Sequence, residues 1–388
     1  MLISIHSSVV DDGDENTWDE ETVQALEYLA TARREGKHSV IAHRETLKKI
    51  AQCSRLSQIT RNVYKHLSNQ ATQNFRSYPS VVKRYIEVNP CLEPQVVENS
   101  GQQIIKVPPR FFNDSESVQK TILLGENLED AVFYETIAKV YLRWKRINAQ
   151  IECDRRGGGG NTTSDEYINI QKLNRRFCLC IVDSDKIAPD GNLGSTASRL
   201  RKSDDPTCIK TKSFILDCRE SENLIPNSIL SELPLKGNPE RREAIKILKS
   251  ISVVEESISG VEVRCFLDIK DGTRMKEIID KKNPKVKEFW ELKFRLIPKI
   301  SYPIDNWCQT HWECSKNSKK SSKNSKEECE CKISLGFGKD TLSDTLKYLE
   351  EKNPHEIAKI VDPSKHSYWE KIGQVVMDWC IAESPIRA

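Results

Sequence analysis

The chain has 388 residues, 37% hydrophobic and 30% charged, with a net charge of +3 at pH 7. That length suits two or three domains. No apolar run reaches the ~18 residues of a membrane-spanning helix, so a membrane protein is not expected. The opening MLISIHSSVVDDGDE lacks the basic and apolar regions of a secretory signal. Thirteen cysteines, an odd number often set in apolar strands (Cys178, Cys180, Cys265), suggest reduced thiols in a cytoplasmic protein.

Charge is unevenly spread. Residues 1–35 hold nine acids, whereas 37–90 hold ten Lys or Arg and only Glu45 and Glu87 as acids. Such a basic block could face phosphates, or could be the solvated face of a helix pair. LISIHSSVV reads as a first strand. WDEETVQALEYLATARREG reads as a helix with acids in its first turn and a glycine stop. HSVIAH is a short strand, and RETLKKIAQCSRL and SQITRNVYKHLSNQATQNF have apolar residues at helical spacing. A small α/β domain with a basic helical segment is expected over 1–105.

A second domain is expected over 106–300. TILLGEN is an apolar strand running into a polar turn, and LEDAVFYETIAKVYLRWKRINAQ is a strong helix. CDRRGGGGNTTSDEY reads as a flexible loop, because four glycines hold a packed element at high entropic cost. FCLCIVDSD and SFILD follow as strands, and VEVRCFLDIK as a late strand. Strands separated by helices favour a mostly parallel sheet flanked by helices. The third region, 301–388, combines a lysine- and serine-rich insertion with terminal helices.

The strand FCLCIVDSD ends in two carboxylates, Asp183 and Asp185. Carboxylates held close repel unless a counter-charge offsets them. Positions i and i+2 of a strand share a face, so both could point at one hard cation such as Mg²⁺ or Mn²⁺. TILLGE ends in a third, Glu126, and working residues of parallel sheets sit at the carboxyl ends of strands.

LLGENLED, with Glu126 and Asp130, and CIVDSDK, with Asp183 and Asp185, together resemble the Toprim pattern. That family includes topoisomerases, bacterial primases and OLD-type nucleases. FILDCRESENLIPNSIL, with Glu222, Asn223, Leu224, Ile225 and Pro226, resembles a segment of OLD-like and defence-associated Toprim proteins. The resemblance covers about 119–270 and implies a Toprim-like fold. It also implies Mg²⁺- or Mn²⁺-dependent cleavage of nucleic acid, DNA favoured over RNA, with Glu126, Asp183 and Asp185 as catalytic metal ligands. By family analogy the role would be an anti-phage effector. Asp130 reads equally as a fourth ligand or as a first-turn acid favourable to the helix dipole. Glu222 could lie near the site. Lys270, expected on the late strand, could contact a scissile phosphate or be an edge-strand charge. The sequence has no G-x-x-x-x-G-K-[ST] motif, so for a defence nuclease an ATPase or sensor would come from a partner protein or be absent. Oligomerisation is open.

Cys308, His311, Cys314, Cys329 and Cys331 bracket the lysine-rich insertion. They could close a tetrahedral zinc site or be incidental thiols in a polar loop. Two other functions fit the same residues. One is a nucleic-acid-binding regulatory module with structural carboxylates; the other is a primase- or RNA-maturase-like Toprim protein.

Overall fold

The computed structural model describes residues 1–10, 18–234, 240–256, 262–274, 277–278, 283–294, 332–362 and 366–387. The possible zinc residues Cys308, His311, Cys314, Cys329 and Cys331 lie outside the described residues. The fold is mixed α/β, with a mostly parallel sheet flanked by helices. Among the described residues no helix is long and apolar enough to cross a membrane, and the nine described cysteines are free thiols.

Two compact units divide the chain. The first is Met1–Ile181 with Ser203–Phe214 and Pro354–Ala388; the second is Val182–Lys202 with Ile215–Asn353. The boundaries expected at 105 and 300 do not separate these units. Hydrogen bonds within the first unit show why. The buried Met1 amino group donates to the Ile381 carbonyl at 2.7 Å. Arg33 pairs with Glu383 at 2.5 Å, and Thr121 Oγ1 donates to the Trp379 carbonyl at 2.6 Å. The N-terminal segment is thus tied to the C-terminal one across the whole length of the sequence.

The first unit holds two larger sheets. One is ordered β2-β1-β3-β5-β4, from β1 (Leu2–Ile5), β2 (Ser39–Ala42), β3 (Arg84–Val88), β4 (Gln95–Asn99) and β5 (Gln102–Val107). Its neighbours run parallel except the edge pair β4–β5. LISI and SVIA are buried throughout, as strands covered on both faces must be. α1 (Glu20–Arg34) begins where the Asp19 carboxylate accepts the Thr22 N–H at 2.6 Å and ends before Gly36, at φ +70°. The basic block forms α2 (Arg44–Gln52) and α3 (Gln58–Ser77).

The second sheet is ordered β10-β9-β6-β8, from β6 (Thr121–Gly125), β8 (Cys153–Gly157), β9 (Cys178–Val182) and β10 (Thr211–Ile215). β6 runs parallel to both β8 and β9. α4 (Leu128–Trp144) follows β6, and α5 (Thr163–Leu173) follows β8. α12 (Ser367–Cys380) packs on α4 where Gly373 lets the Tyr141 ring approach its backbone. β7 (Gln150–Ile151) and β11 (Ile381–Ala382) form a two-stranded antiparallel pair.

The tetraglycine segment is not a flexible loop. Gly157 completes β8, and the Gly158 N–H donates to the Gly125 carbonyl at 2.9 Å. The glycines permit close backbone approach. A Cβ on Gly157 would sit 2.6 Å from Leu128 N, and one on Gly158 would sit 2.5 Å from Thr163.

In the second unit, α6 (Ser195–Ser203), α7 (Asn227–Leu230), α8 (Arg241–Glu256), α9 (Pro284–Phe294) and α10 (Thr341–Glu350) surround short 3-10 turns at Ser221–Leu224 and Val263–Phe266. α11 (Pro354–Val361) belongs to the first unit. The expected strand VEVRCFLDIK is this second 3-10 turn and the loop after it. Val263, Arg264, Cys265, Phe266 and Leu267 are buried in succession, which alternating strand geometry with one wet face would not allow. The Arg264 guanidinium, itself buried, donates to the Ile225 carbonyl. Arg241 pairs with Asp344 at 2.8 Å and donates to the Phe337 carbonyl.

Gly158→Ala should destabilise the protein by about 1–3 kcal/mol, as overpacking does. Gly101→Asn, at φ +81° with nothing near its Cβ position, should cost less. Urea midpoints of the two variants check the difference.

Candidate functional site

β9 ends at Val182, so Asp183 and Asp185 lie beyond the strand. The i, i+2 alternation therefore does not set their directions. Ser184, fully buried between them, donates from Oγ to the Cys218 carbonyl at 2.6 Å. The Asp185 N–H donates to the Arg219 carbonyl at 2.9 Å, and Asp185 adopts a left-handed φ of 54°. Asp is among the residues that tolerate this region. The Asp185 carboxylate rests against Gly194, where any Cβ would collide with it. Asp183 is half-buried and Asp185 exposed.

Asp183 Oδ1 accepts the Ser221 N–H at 2.9 Å. That bond joins the strand end to the RESEN segment. Here Glu220 caps the 3-10 turn, its N–H donating to Asn223 Oδ1 at 2.8 Å. Asn223 Nδ2 donates to the Arg264 and Leu267 carbonyls at 2.7 and 2.9 Å. Glu222 is buried, and its Oε1 lies 3.1 Å from Lys270 Nζ. Lys270 sits in a turn rather than on a strand.

Two carboxyl groups, Glu220 and Asp268, shape that turn. Glu220 Oε1 accepts the Ile269 and Lys270 N–H groups at 2.9 and 3.3 Å. Asp268 Oδ1 accepts the Asp271 N–H at 2.6 Å. Arg219 joins Asp268 at 2.8 Å and Glu277 at 3.1 Å. Gly272, at φ +83°, lets the chain turn back beneath the loop at Gly336.

The electrostatics follow from burial and charge. Burial, then the neighbouring Glu222 and Asp268 carboxylates, push Glu220 up to about 8. Burial alone would lower Lys270, but Glu222, Glu220 and Asp183 together raise it above the ordinary lysine value. Lys270 lies nearer Glu222 than Glu220, whose Oε2 is 4.0 Å away. Glu222 is thus the carboxylate that carries the ion pair, while Glu220 holds a proton near neutral pH. The cluster offers a fixed ammonium, a carboxylate acceptor in Asp183 and a protonated carboxyl group. These are the components of acid–base and anion-stabilising chemistry.

Glu126 and Asp130 lie in the first unit. Glu126 follows β6, and its carbonyl accepts the Gly159 and Gly160 N–H groups at 2.9 and 3.0 Å. The Asp130 carboxylate accepts the Asn127 N–H at 2.8 Å in a capping box at the start of α4, a helix-terminal role. Among the described residues no group of three or more His, Cys, Asp or Glu is placed to hold a metal ion.

The sequence reading missed Glu220 and Arg219. The only signal was their place beside Glu222 in the charged run CRESEN, and nothing in that run shows that Glu220 reaches the turn near Lys270. No protein-family model matches the chain, and neither a curated protein nor a solved structure is significantly similar to it.

Glu220 should lower stability as pH rises. Between about pH 4.5 and 8 the folded state keeps a proton that the unfolded state releases. The favourable contribution is complete below 4.5 and is lost as pH rises through 8. Glu220→Gln keeps the acceptor oxygen but cannot titrate. Its urea midpoint should therefore fall less between pH 5 and 8.5 than that of the parent. Equal slopes would contradict the assignment.

Proposed function

We propose that the chain is a Toprim-like nuclease that hydrolyses phosphodiester bonds of nucleic acid, DNA in the first instance. One observation carries the reading. Asp183, Glu222 and Lys270, from three separate segments singled out in the sequence, meet in one cluster within the second unit. A lysine held beside carboxylates at a strand end suits a reaction in which negative charge grows on phosphate oxygens. Asp183 and Asp185 supply oxygen donors of the kind hard cations prefer. Dependence on Mg²⁺ or Mn²⁺, the part of Glu126 and an anti-phage role enter the proposal through the family resemblance.

A second reading, a nucleic-acid-binding module with structural carboxylates, is favoured by a different observation. Asp183, Glu220, Glu222 and Asp268 each already have a partner inside the protein.

The test is cleavage of plasmid, linear duplex, single-stranded DNA and structured RNA with EDTA, Mg²⁺ or Mn²⁺. Asp183→Asn, Lys270→Met and Glu126→Ala, each verified as folded, should lower a cation-dependent cleavage rate by roughly 100-fold or more. Full cleavage by the folded Asp183→Asn variant would overturn the nuclease reading. Salt-dependent binding without turnover would favour the second.

A further inference from the structure

We propose that the second unit carries a subsite for the phosphate backbone of nucleic acid, in the cavity between the 185–193 loop and α6. The claim that the bound strand is also cut rests on the nuclease reading; the binding claim does not. The cavity holds about 450 Å³ and is lined by Lys186, Asp190, Asn192, Ser198, Arg201 and Lys202, among others.

The loop begins and ends at the carboxylate site. It leaves at Asp185 and returns at Gly194, whose N–H donates to the Ser184 carbonyl at 2.9 Å. Its shape is fixed from α9 and from the residues before that helix. The buried Trp290 donates from Nε1 to the Ile187 carbonyl at 2.7 Å, and Asn283 Nδ2 donates to the Asp190 carbonyl at 3.0 Å. Lys186 Nζ donates to the Pro189 carbonyl at 3.1 Å, which fixes its position and leaves further N–H groups for a ligand.

The opposite wall is α6. Ser198, Arg201 and Lys202 fall at i, i+3 and i+4, so they share one helix face. Arg201 and Lys202 are exposed and have no ion-pair or hydrogen-bond partner among the described residues. Asp190, the acid in the lining, is 3.9 Å from Lys285. Three cations therefore face a cavity whose acid has its own counter-ion. That balance suits a polyanion, and Arg and Lys are the usual phosphate partners along a strand. The loop that presents Lys186 starts at Asp185, so a strand held here would run beside the carboxylates.

The test uses a labelled single-stranded DNA oligonucleotide in EDTA, which separates binding from cutting. Arg201→Gln/Lys202→Gln should raise Kd about 10-fold at low salt. It should also reduce the slope of log Kd against log salt by about 1.4, for two lost phosphate contacts on single strands. Lys246→Gln, an exposed cation on α8, serves as a control and should leave both unchanged. Matching thermal midpoints verify that the variants are folded. An unchanged Kd and slope in the double variant would overturn the subsite. So would an equal loss in the control, or no binding by the parent protein. If the double variant loses binding while the parent never cuts any polymer, the subsite stands and the nuclease reading falls.

Discussion

Carboxylates buried beside one another need a counter-charge, and in the second unit Lys270 provides it. Its ammonium lies 3.1 Å from Glu222 and feels Asp183 and Glu220. Removing the ammonium partner of the buried Glu222 carboxylate would leave an uncompensated buried charge, which is unfavourable. The surrounding structure is consistent with that constraint. Glu220 gives up its own charge and uses an oxygen to hold the Ile269 and Lys270 N–H groups. Arg219 neutralises Asp268, and Asp268 shapes the same turn. Asn223 fixes the capped 3-10 turn against the Arg264 and Leu267 carbonyls.

Glycines serve both parts of the proposed chemistry, though in separate units. Gly194 leaves room for the Asp185 carboxylate, and Gly157 and Gly158 let β8 and its following turn reach the backbone around Glu126. In each case the missing Cβ permits a close approach rather than a loose loop. The Gly159 and Gly160 N–H groups converge on a single carbonyl, which fixes the chain just where Glu126 leaves β6.

Much of the fold was legible because local signals agreed with one another. The apolar runs of β1, β2, β6 and β9 and the capped, glycine-stopped α1 needed no tertiary information. The misreadings share one cause: contacts made far along the chain. CDRRGGGG looks like a loop until β6 supplies a neighbour for Cys153–Gly157. VEVRCFLDIK looks like a strand, but Val263–Phe266 form a 3-10 turn that hydrogen bonds tie to Asn223 and Ile225. Asp183 and Asp185 look like strand residues on one face, yet bonds to Cys218 and Arg219 bend the chain between them. Of the candidate site, Asp183, Glu222 and Lys270 were readable as separate marks. Their meeting point was not, since Glu220 acts through backbone groups about fifty residues away.

In the proposed nuclease, the coupling between Glu222 and Lys270 is the central requirement. The decisive measurement is kcat/KM on a nucleic-acid substrate for the parent, Glu222→Gln, Lys270→Met and the double variant, all verified as folded. If the pair acts as one unit on the phosphodiester, the double variant will be about as slow as the slower single variant. Losses that multiply, or four equal rates, would contradict it.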